Sequence, residues 1–278
     1  MKYVLFNPLS NNKRGEKRLK EVEPLIKEEF KSVSLINLNL KEFVASLNEE
    51  DEIILVGGDG TINVFINSLD GKCPKNNVYL AQGGTGNDFL KDIDIKDDFV
   101  LINKYLVNLP KVTVNGKTYF FINGVGYGID GYCCEVADEL KKKSDKDINY
   151  TGIAIKGILF HFKKRSAKVT IDGVTKEYKN VWLSPTMNGR FYGGGMMVAP
   201  TQDRLAKDKY VTNMVYQARS RLSALMAFPS IFKGEHVKKT KIVTLTKGKV
   251  IEVEFSKPCA LQIDGETILN VSSYRVEA

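Results

Sequence analysis

An unbroken apolar run at residues 53–56 (IILV), which ends directly at Gly57 and Gly58, constrains the fold of this chain more than any other feature. A strand without polar residues is typical of a parallel sheet that is covered by helices on both faces. The glycines open a loop at the carboxyl end of the strand, where ligands of open α/β sheets usually bind. The run therefore predicts a parallel sheet with a ligand site at its carboxyl edge.

Short apolar runs alternate with longer amphipathic ones over the first hundred or so residues. Predicted strands at residues 3–6, 33–38 and 53–56 are separated by predicted helices at about 13–30 and near 42–47. This βαβαβ order indicates a parallel sheet with helices on its faces.

The pattern changes after about residue 110, because short β-rich runs are now joined by turn dipeptides. Asn115-Gly116 and Asp172-Gly173 are hairpin signals. Two helical segments interrupt this half, near residues 150–162 and 221–232. We predict an α/β domain over residues 1–110 and a mostly antiparallel β-sandwich domain over residues 111–278, whose C-terminal segment can return to the first domain.

The chain is basic, with a formal net charge of +8 over 278 residues. This charge suits an anionic partner such as nucleic acid, an acidic membrane or a nucleotide, and composition does not choose among them. No apolar stretch approaches the ~20 residues of a membrane span, so we predict a cytoplasmic protein. The cysteines lack a C-x-x-C spacing and are predicted to be reduced and mostly buried; they are Cys73, Cys133, Cys134 and Cys259.

The segment GGDGTIN (residues 57–63) lies between the buried strand and an amphipathic helix. Small residues let backbone amides approach phosphates, and the start of a helix adds partial positive charge. Asp59 does not fit a simple anion cradle. A carboxylate among phosphate-binding amides indicates a metal ion or a hydroxyl group, and hence phosphoryl transfer. The alternative is a tight strand-to-helix turn in which Asp59 is a cap.

A second glycine-rich segment, GGTGNDF (residues 83–89), follows a short predicted strand at residues 78–80. Two such loops after two strands of one sheet are expected to face each other. Taken alone, the segment is also typical of a loop in which Asn87 or Asp88 caps a helix.

Together these segments resemble the diacylglycerol kinase catalytic domain, which bacterial lipid kinases share with sphingosine and ceramide kinases. GGDGT alone also resembles NAD kinases and phosphofructokinases, whereas GGTGNDF with a late DGE favours the lipid kinases. Further matching segments extend the resemblance over nearly the whole chain: Asn7-Pro8-Leu9-Ser10, with Asn11 where glycine is usual, FINGVG at 121–126, GGGM at 193–196 with Ala199-Pro200, and Ile263-Asp264-Gly265-Glu266.

The resemblance implies a kinase that uses ATP and Mg²⁺ to phosphorylate the hydroxyl group of a lipid such as diacylglycerol, with an active site in the cleft between the domains. It implies that Glu266 is the general base, with Asp264 beside it, and that Asp59 or Asp88 helps to position the metal. Without the resemblance, Asp264-Gly265 is typical of a hairpin turn. The residues implied to line the ATP site are Asn7, Pro8, Leu9, Ser10, Asn11, Gly57, Gly58, Asp59, Gly60, Thr61, Ile62, Asn63, Gly84, Thr85, Gly86, Asn87 and Asp88.

Two further positions depart from the family pattern. Val64 stands where the family usually has a glutamate. Lys209 replaces the glycine of an Asp-Gly pair that helps the family to bind a structural Mg²⁺, which leaves Asp208 and the Tyr210 carbonyl as candidate ligands. These departures keep open a non-catalytic lipid- or nucleotide-binding protein. The shared GGDGT element keeps open a second alternative, phosphorylation of a soluble nucleotide, as by an NAD kinase.

The basic clusters at residues 141–143, 163–165 and 238–241 all lie in the second half. A helical apolar stripe ends in the second cluster, a pattern that suits an anionic bilayer but also an ordinary helix packed on the β domain; the stripe is Ile155, Ile158, Leu159 and Phe162. We predict peripheral association with an anionic membrane that holds the lipid substrate, and no nucleic-acid partner. The sequence leaves the oligomeric state open, with a homodimer as one alternative.

Overall fold

The computed structural model describes residues 1–8, 10, 14–81, 87–143 and 148–278. These residues form two compact units, Met1–Leu109 and Pro110–Ala278. Each unit has its own sheet and its own buried core.

The first unit contains a five-stranded sheet in the order β2-β1-β3-β4-β5. Its strands are β1 (Lys2–Phe6), β2 (Phe30–Ser34), β3 (Glu52–Val56), β4 (Val78–Ala81) and β5 (Phe99–Leu101). The first four strands are parallel and β5 is antiparallel to β4. Ile53 and Leu55 are fully buried in β3, as expected for a strand with helices on both faces. The predicted parallel sheet is confirmed.

Five α-helices accompany this sheet in the part of the unit that the structure describes: α1 (Gly15–Val22), α2 (Leu40–Ala45), α3 (Asp59–Ser68), α4 (Asp88–Ile93) and α5 (Asn103–Leu106). Helix α3 starts almost directly after β3 and buries Ile62 and Phe65 completely. Burial of such side chains stabilises the unit by about 1.5–3 kcal/mol each. The core therefore holds the start of α3 firmly at the carboxyl edge of the sheet.

Two predicted elements differ from the structure. The predicted helix at 13–30 ends early, because the 3₁₀ turn Glu23–Leu25 contains Pro24, which has no N–H group to continue an α-helix. The strand predicted at residues 33–38 lies earlier in the structure, where it is β2 (Phe30–Ser34). Asn37 has a left-handed φ of 59°, which ends the extended segment.

The second unit contains a ten-stranded sheet. Its strands are β6 (Lys111–Val114), β7 (Lys117–Phe120), β8 (Gly124–Tyr127), β9 (Arg165–Ile171), β10 (Val174–Leu183), β11 (Thr186–Met187), β14 (Val211–Gln217), β15 (Val243–Gly248), β16 (Val250–Ile263) and β17 (Glu266–Glu277), and β12 (Phe191–Tyr192) pairs with β13 (Met196–Met197) outside it.

These strands pair in the order β7-β6-β17-β16-β8-β11-β14-β10-β9, with β15 beside β14 and β16 also paired with β9. All of the pairings are antiparallel. Asn115-Gly116 joins β6 to β7, and Asp172-Gly173 joins β9 to β10, each with positive φ at both residues as a type I′ turn requires. The predicted antiparallel β architecture is confirmed.

Among the described residues, three α-helices lie on this sheet: α6 (Ile129–Lys143), α7 (Tyr150–Lys156), which continues into a π-helical turn (Gly157–His161), and α8 (Arg221–Ala227). Ile158 and Phe162 are buried in the core around Trp182. Half of the apolar stripe therefore packs in the core. Among the helices that the structure describes, none has the length and apolar character needed to span a bilayer.

The cysteines are free thiols, as predicted: Cys133 and Cys134 are buried on α6, and Cys73 and Cys259 are half-buried. Burial raises the pKa of the Cys133 and Cys134 thiols well above the ordinary value. Both therefore remain protonated at neutral pH and are poor nucleophiles.

Candidate active site

The carboxyl ends of three parallel strands lie in register at one edge of the first sheet. Phe6 of β1 pairs with Val56 of β3, and Val56 pairs with Ala81 of β4. The segments that begin at Asn7, at Gly57 and after Ala81 therefore start side by side. The motifs along this edge form the predicted ATP site.

Glycines shape the start of α3. A Cβ on Gly57 would lie 2.0 Å from Thr61 Oγ1, so no side chain fits there. A Cβ on Gly58 or Gly60 would meet nothing within 4 Å, which means that open space lies beside both residues. The helix start combines this access with partial positive charge from its amide groups, the combination that anions need.

Asp59 connects the starts of two helices. Its Oδ2 accepts a hydrogen bond from the backbone N–H of Asp88 (2.8 Å), and its Oδ1 accepts one from Phe89 (3.1 Å). Asn87 caps the same helix, α4, through its Oδ1 and the N–H of Leu90 (2.9 Å). The cap role considered for Asp59 is therefore real, but the helix that it caps is α4 rather than its own.

The remaining predicted ATP-site residues differ in their access. Gly15 brings α1 against the Asn7 carbonyl, since a Cβ there would lie 1.9 Å from that oxygen. The Asn7 carbonyl accepts a hydrogen bond from Ser10 N–H (3.0 Å). Pro8 lies between them, half-buried. Leu9, Asn11, Gly84, Thr85 and Gly86 lie outside the described residues.

Three positions at the start of α3 have buried side chains. Thr61, Ile62 and Asn63 are 3%, 0% and 6% exposed. Ile62 packs in the core, so only its backbone can reach a ligand. Val64, where the family usually has a glutamate, is half-buried on the same helix.

In the second unit, Asp264 and Gly265 form the tight turn between β16 and β17, with φ values of 46° and 97°. The Asp264 carboxylate accepts three backbone hydrogen bonds, from Ile122 (2.6 Å), Asn123 (2.9 Å) and Gly124 (3.0 Å). Hydrogen bonds to a charged acceptor are about twice as strong as neutral ones. Asp264 therefore fixes the turn to the FINGVG segment.

Residues that the sequence did not indicate bind the FINGVG segment through its Ile122 carbonyl and its Asn123 side chain. The Ile122 carbonyl accepts hydrogen bonds from Arg204 Nη1 (3.0 Å) and Asn188 Nδ2 (2.9 Å). Arg204 Nη2 also donates to Asn123 Oδ1 (3.2 Å). Arg204 is only 7% exposed, yet it lies in the polar run TQDRLAKDK, which is typical of a solvated loop. Its sequence context gave no signal.

Gln262 supports the turn from within β16. Its Oε1 accepts the Gly265 N–H (2.6 Å), and its Nε2 donates to Asp130 Oδ2 (2.8 Å) on α6. A Cβ on Gly126 would lie 1.4 Å from that Asp130 oxygen, so the close approach requires glycine. On the other side, Thr267 Oγ1 donates to Asp138 Oδ2 (2.6 Å), also on α6.

Glu266 follows this turn as the first residue of β17, opposite Ile263 of β16. The Glu266 side chain is exposed, and this side chain makes no hydrogen bond or ion pair with any other residue that the structure describes. Both sequence neighbours of Glu266 are hydrogen-bonded to other parts of the unit. The result is a solvent-facing carboxylate on a firmly held backbone, an arrangement suited to a general base.

The residues expected to bind the structural Mg²⁺ do not fit that ion. The Tyr210 carbonyl accepts a hydrogen bond from Gln202 Nε2 (2.9 Å). The Lys209 ammonium group donates to the Arg204 carbonyl (3.0 Å), and the Lys247 ammonium group donates to the Thr201 carbonyl (3.1 Å). Asp208 is exposed, and within the described part of the chain no three acidic, histidine or cysteine side chains group as metal ligands. The Tyr210 carbonyl therefore already has a donor, and two lysine ammonium groups neutralise other carbonyls of the same loop.

Chelation should therefore leave the stability of the nucleotide-free protein unchanged. We expect the same Tm in EDTA and in excess Mg²⁺, because ammonium groups rather than a metal neutralise the carbonyls of this loop. Thermal unfolding, monitored by circular dichroism, measures the Tm under both conditions. Lys209→Gly removes the internal cation and should lower Tm in EDTA. A higher Tm of the parental protein in Mg²⁺ would contradict the expectation.

Comparison with known proteins agrees with these features. Residues 2–112 match the family model of the diacylglycerol kinase catalytic domain, and residues 123–276 match the model of the YegS C-terminal NAD kinase beta sandwich-like domain. YtlR of Bacillus subtilis (strain 168) is 23% identical over 99% of this chain and 95% of its own length. A diacylglycerol kinase of Mycobacterium tuberculosis (strain CDC 1551 / Oshkosh) is 26% identical over 73% of this chain and 67% of its own length.

A crystal structure from Bacillus anthracis str. Sterne shares the fold, with a TM-score of 0.66 at 19% identity over 99% of this chain and 91% of that one. The two family models together cover nearly the whole sequence, and both glycine-rich motifs and the Asp264–Glu266 turn lie within them. The chain therefore belongs to the diacylglycerol kinase catalytic-domain family of lipid kinases, as its motifs predicted.

Proposed function

We propose that this protein transfers the γ-phosphoryl group of ATP to the hydroxyl group of a membrane lipid such as diacylglycerol. The observation that supports this most strongly is Glu266, an exposed carboxylate between two hydrogen-bonded neighbours: the Gly265 backbone N–H donates to Gln262, and the Thr267 hydroxyl donates to Asp138. Membership of a lipid kinase family supports the reaction class.

The nucleotide phosphates bind at the carboxyl edge of the first sheet in this proposal. The open space beside Gly58 and Gly60 lets phosphate oxygens reach backbone amides at the start of α3. Asp59 and Asp88 are the carboxylates that could meet a Mg²⁺ ion here, since both lie where the starts of α3 and α4 meet. The ion, when bound with ATP, would neutralise charge on the phosphoryl group.

Glu266 acts on the acceptor. Its carboxylate takes the proton of the lipid hydroxyl as the hydroxyl oxygen forms a bond to the γ-phosphorus. The bond between that phosphorus and the bridging oxygen breaks, and ADP leaves with the electron pair. The products are ADP, the lipid phosphate and a protonated Glu266, which returns its proton to solvent.

Asp264 is a positioning residue in this scheme rather than a second base. Its two oxygens already accept three backbone hydrogen bonds. Such bonding favours the ionised carboxylate and makes it a weak proton acceptor. Asp264 therefore sets the backbone from which Glu266 extends.

Incubation of the protein with ATP labelled in the γ position should transfer the label to a lipid acceptor. Parallel reactions contain short-chain diacylglycerol in detergent, NAD, or extracted bacterial lipids. We expect label in the diacylglycerol or in an extracted lipid that carries a free hydroxyl group. Label in NAD would support the nucleotide kinase alternative. Nucleotide binding without transfer to any acceptor would support a non-catalytic binding protein.

A further inference from the structure

Large apolar side chains project into solvent from two neighbouring elements of the second unit. Phe160, in the π-helical turn, is 70% exposed, and Leu222 and Met226, on α8, are 65% and 72% exposed. Leu222 and Met226 are four residues apart and so lie on one side of α8. Ala224 and Ala227 of the same helix are buried in the core.

The π-helical turn and α8 are joined directly. The Arg221 guanidinium group donates to the Ile158 carbonyl, and the Lys164 ammonium group donates to the Arg219 carbonyl. Ile158 and Ala224 belong to the same buried cluster. Phe160, Leu222 and Met226 therefore extend from one packed layer, and we call these three side chains the apolar tips.

Exposure of this degree is rare elsewhere in the described chain. Four large apolar side chains are more than 60% exposed, and three of them are the apolar tips, with Val174 the fourth. Single exposed apolar residues need no explanation, but a group of them on adjoining elements is typical of an interaction surface.

The sequence around the apolar tips is purely basic. Residues 148–171 contain five Lys and Arg residues and no Asp or Glu, and residues 211–234 contain three and none. The exposed cations of these segments are Lys156, Lys163, Lys164, Lys168, Arg219 and Lys233. This composition identifies the partner, because apolar side chains flanked by cations match the acyl boundary and the anionic headgroups of a bilayer.

We propose that the apolar tips and these cations form the surface by which the protein docks on an anionic bilayer. Phe160, Leu222 and Met226 enter the boundary between headgroups and acyl chains, and the cations bind anionic headgroups. The inference rests on the proposed function in one respect, since a lipid kinase must reach an acceptor within the bilayer. It names the surface that does so and differs from the stripe considered in the sequence, of which Ile158 and Phe162 are buried.

Flotation of the full chain with vesicles tests the proposal. Phosphatidylcholine vesicles are compared with vesicles that also contain phosphatidylglycerol. The parental protein should float with the mixed vesicles, and less so as salt rises. The triple variant F160Q/L222Q/M226Q should lose about tenfold or more in partitioning, because its polar side chains no longer gain from leaving water.

The matched control is V107Q/V174Q, which alters exposed apolar residues elsewhere (48% and 65% exposed) and should bind like the parental protein. Lys163→Glu with Lys164→Glu should remove the preference for phosphatidylglycerol. Parental binding by F160Q/L222Q/M226Q would overturn the proposal. So would a change from dimer to monomer in that variant without a loss of vesicle binding, since the surface would then join two copies.

A second measurement does not depend on the stability of the triple variant. Phe160→Trp places a tryptophan at a tip, whereas the native Trp182 is 2% exposed. Its fluorescence should shift to the blue and be quenched by brominated lipid on addition of mixed vesicles. An unchanged spectrum would count against insertion.

Kinase assays separate this proposal from the proposed function. F160Q/L222Q/M226Q should phosphorylate short-chain diacylglycerol in detergent at the parental rate and lose activity only toward acceptor in vesicles. A parental protein that inserts its tips but phosphorylates no lipid would refute the kinase proposal and leave the docking surface standing.

Discussion

Glu266→Gln is expected to lower the rate of lipid phosphorylation by roughly 10²–10⁴-fold, the usual effect of losing a general base. Glutamine keeps the size of the side chain but cannot take the proton from the hydroxyl group. The glutamate side chain is exposed and makes no hydrogen bond within the described residues, so stability should hardly change. Initial rates at saturating ATP and thermal unfolding of the same preparation measure both quantities.

Glu254→Gln is the matched control, since Glu254 is another exposed glutamate on the same hairpin. It should leave the rate unchanged. Asp264→Asn gives the contrasting result: it weakens three hydrogen bonds to backbone amides and should lower the Tm as well as the rate. A folded Glu266→Gln protein that works at close to the parental rate would remove Glu266 from the mechanism.

Asp59→Ala is expected to abolish detectable transfer and also to destabilise the protein. The structure adds a stability effect, because the substitution leaves the Asp88 and Phe89 amides at the start of α4 without their acceptor. Loss of a helix cap costs about 0.5–2 kcal/mol. Urea unfolding and the kinase assay measure the two effects.

Asn39→Ala is the control that separates loss of stability from loss of transfer. Asn39 caps α2 through the N–H of Glu42 (3.4 Å) in the same unit, so its loss should destabilise the protein without affecting transfer. If Asp59→Ala keeps turnover near the parental level, the phosphates bind elsewhere.

Local patterns predicted most of the fold for identifiable physical reasons. Residues 53–56 have no polar side chain, and such a run is stable only inside a covered sheet. Asn115-Gly116 and Asp172-Gly173 adopt the left-handed conformations that these residues tolerate best. The end of α1 was predicted too late because the run of charged residues continues past Pro24, whose missing N–H group decides the boundary.

The candidate site was predictable only where one segment contains the whole signal. GGDGTIN indicates a phosphate loop by itself, but the contact of Asp59 with α4 joins residues 29 and 30 positions apart. Arg204 lies 82 positions from Ile122, to which it donates, and nothing in its polar surroundings marks it as buried. Periodicity at residues 155–162 could not separate core from surface, because the stripe combines Ile158 and Phe162, which are buried, with Ile155, which is exposed.

The place of the C-terminal hairpin in the second sheet has a consequence for folding kinetics. β16 and β17 lie between β6 and β8, so these two early strands are joined in the sheet through its last hairpin. Pairing over such sequence separations is slow, because the entropy of closing long loops is lost before native contacts compensate. The first unit, built from βαβ steps, should fold early during synthesis, whereas β6 and β8 each keep an unpaired edge until their partners β17 and β16 have left the ribosome. Pulsed hydrogen exchange during refolding should accordingly show protection of β1 and β3 before β6.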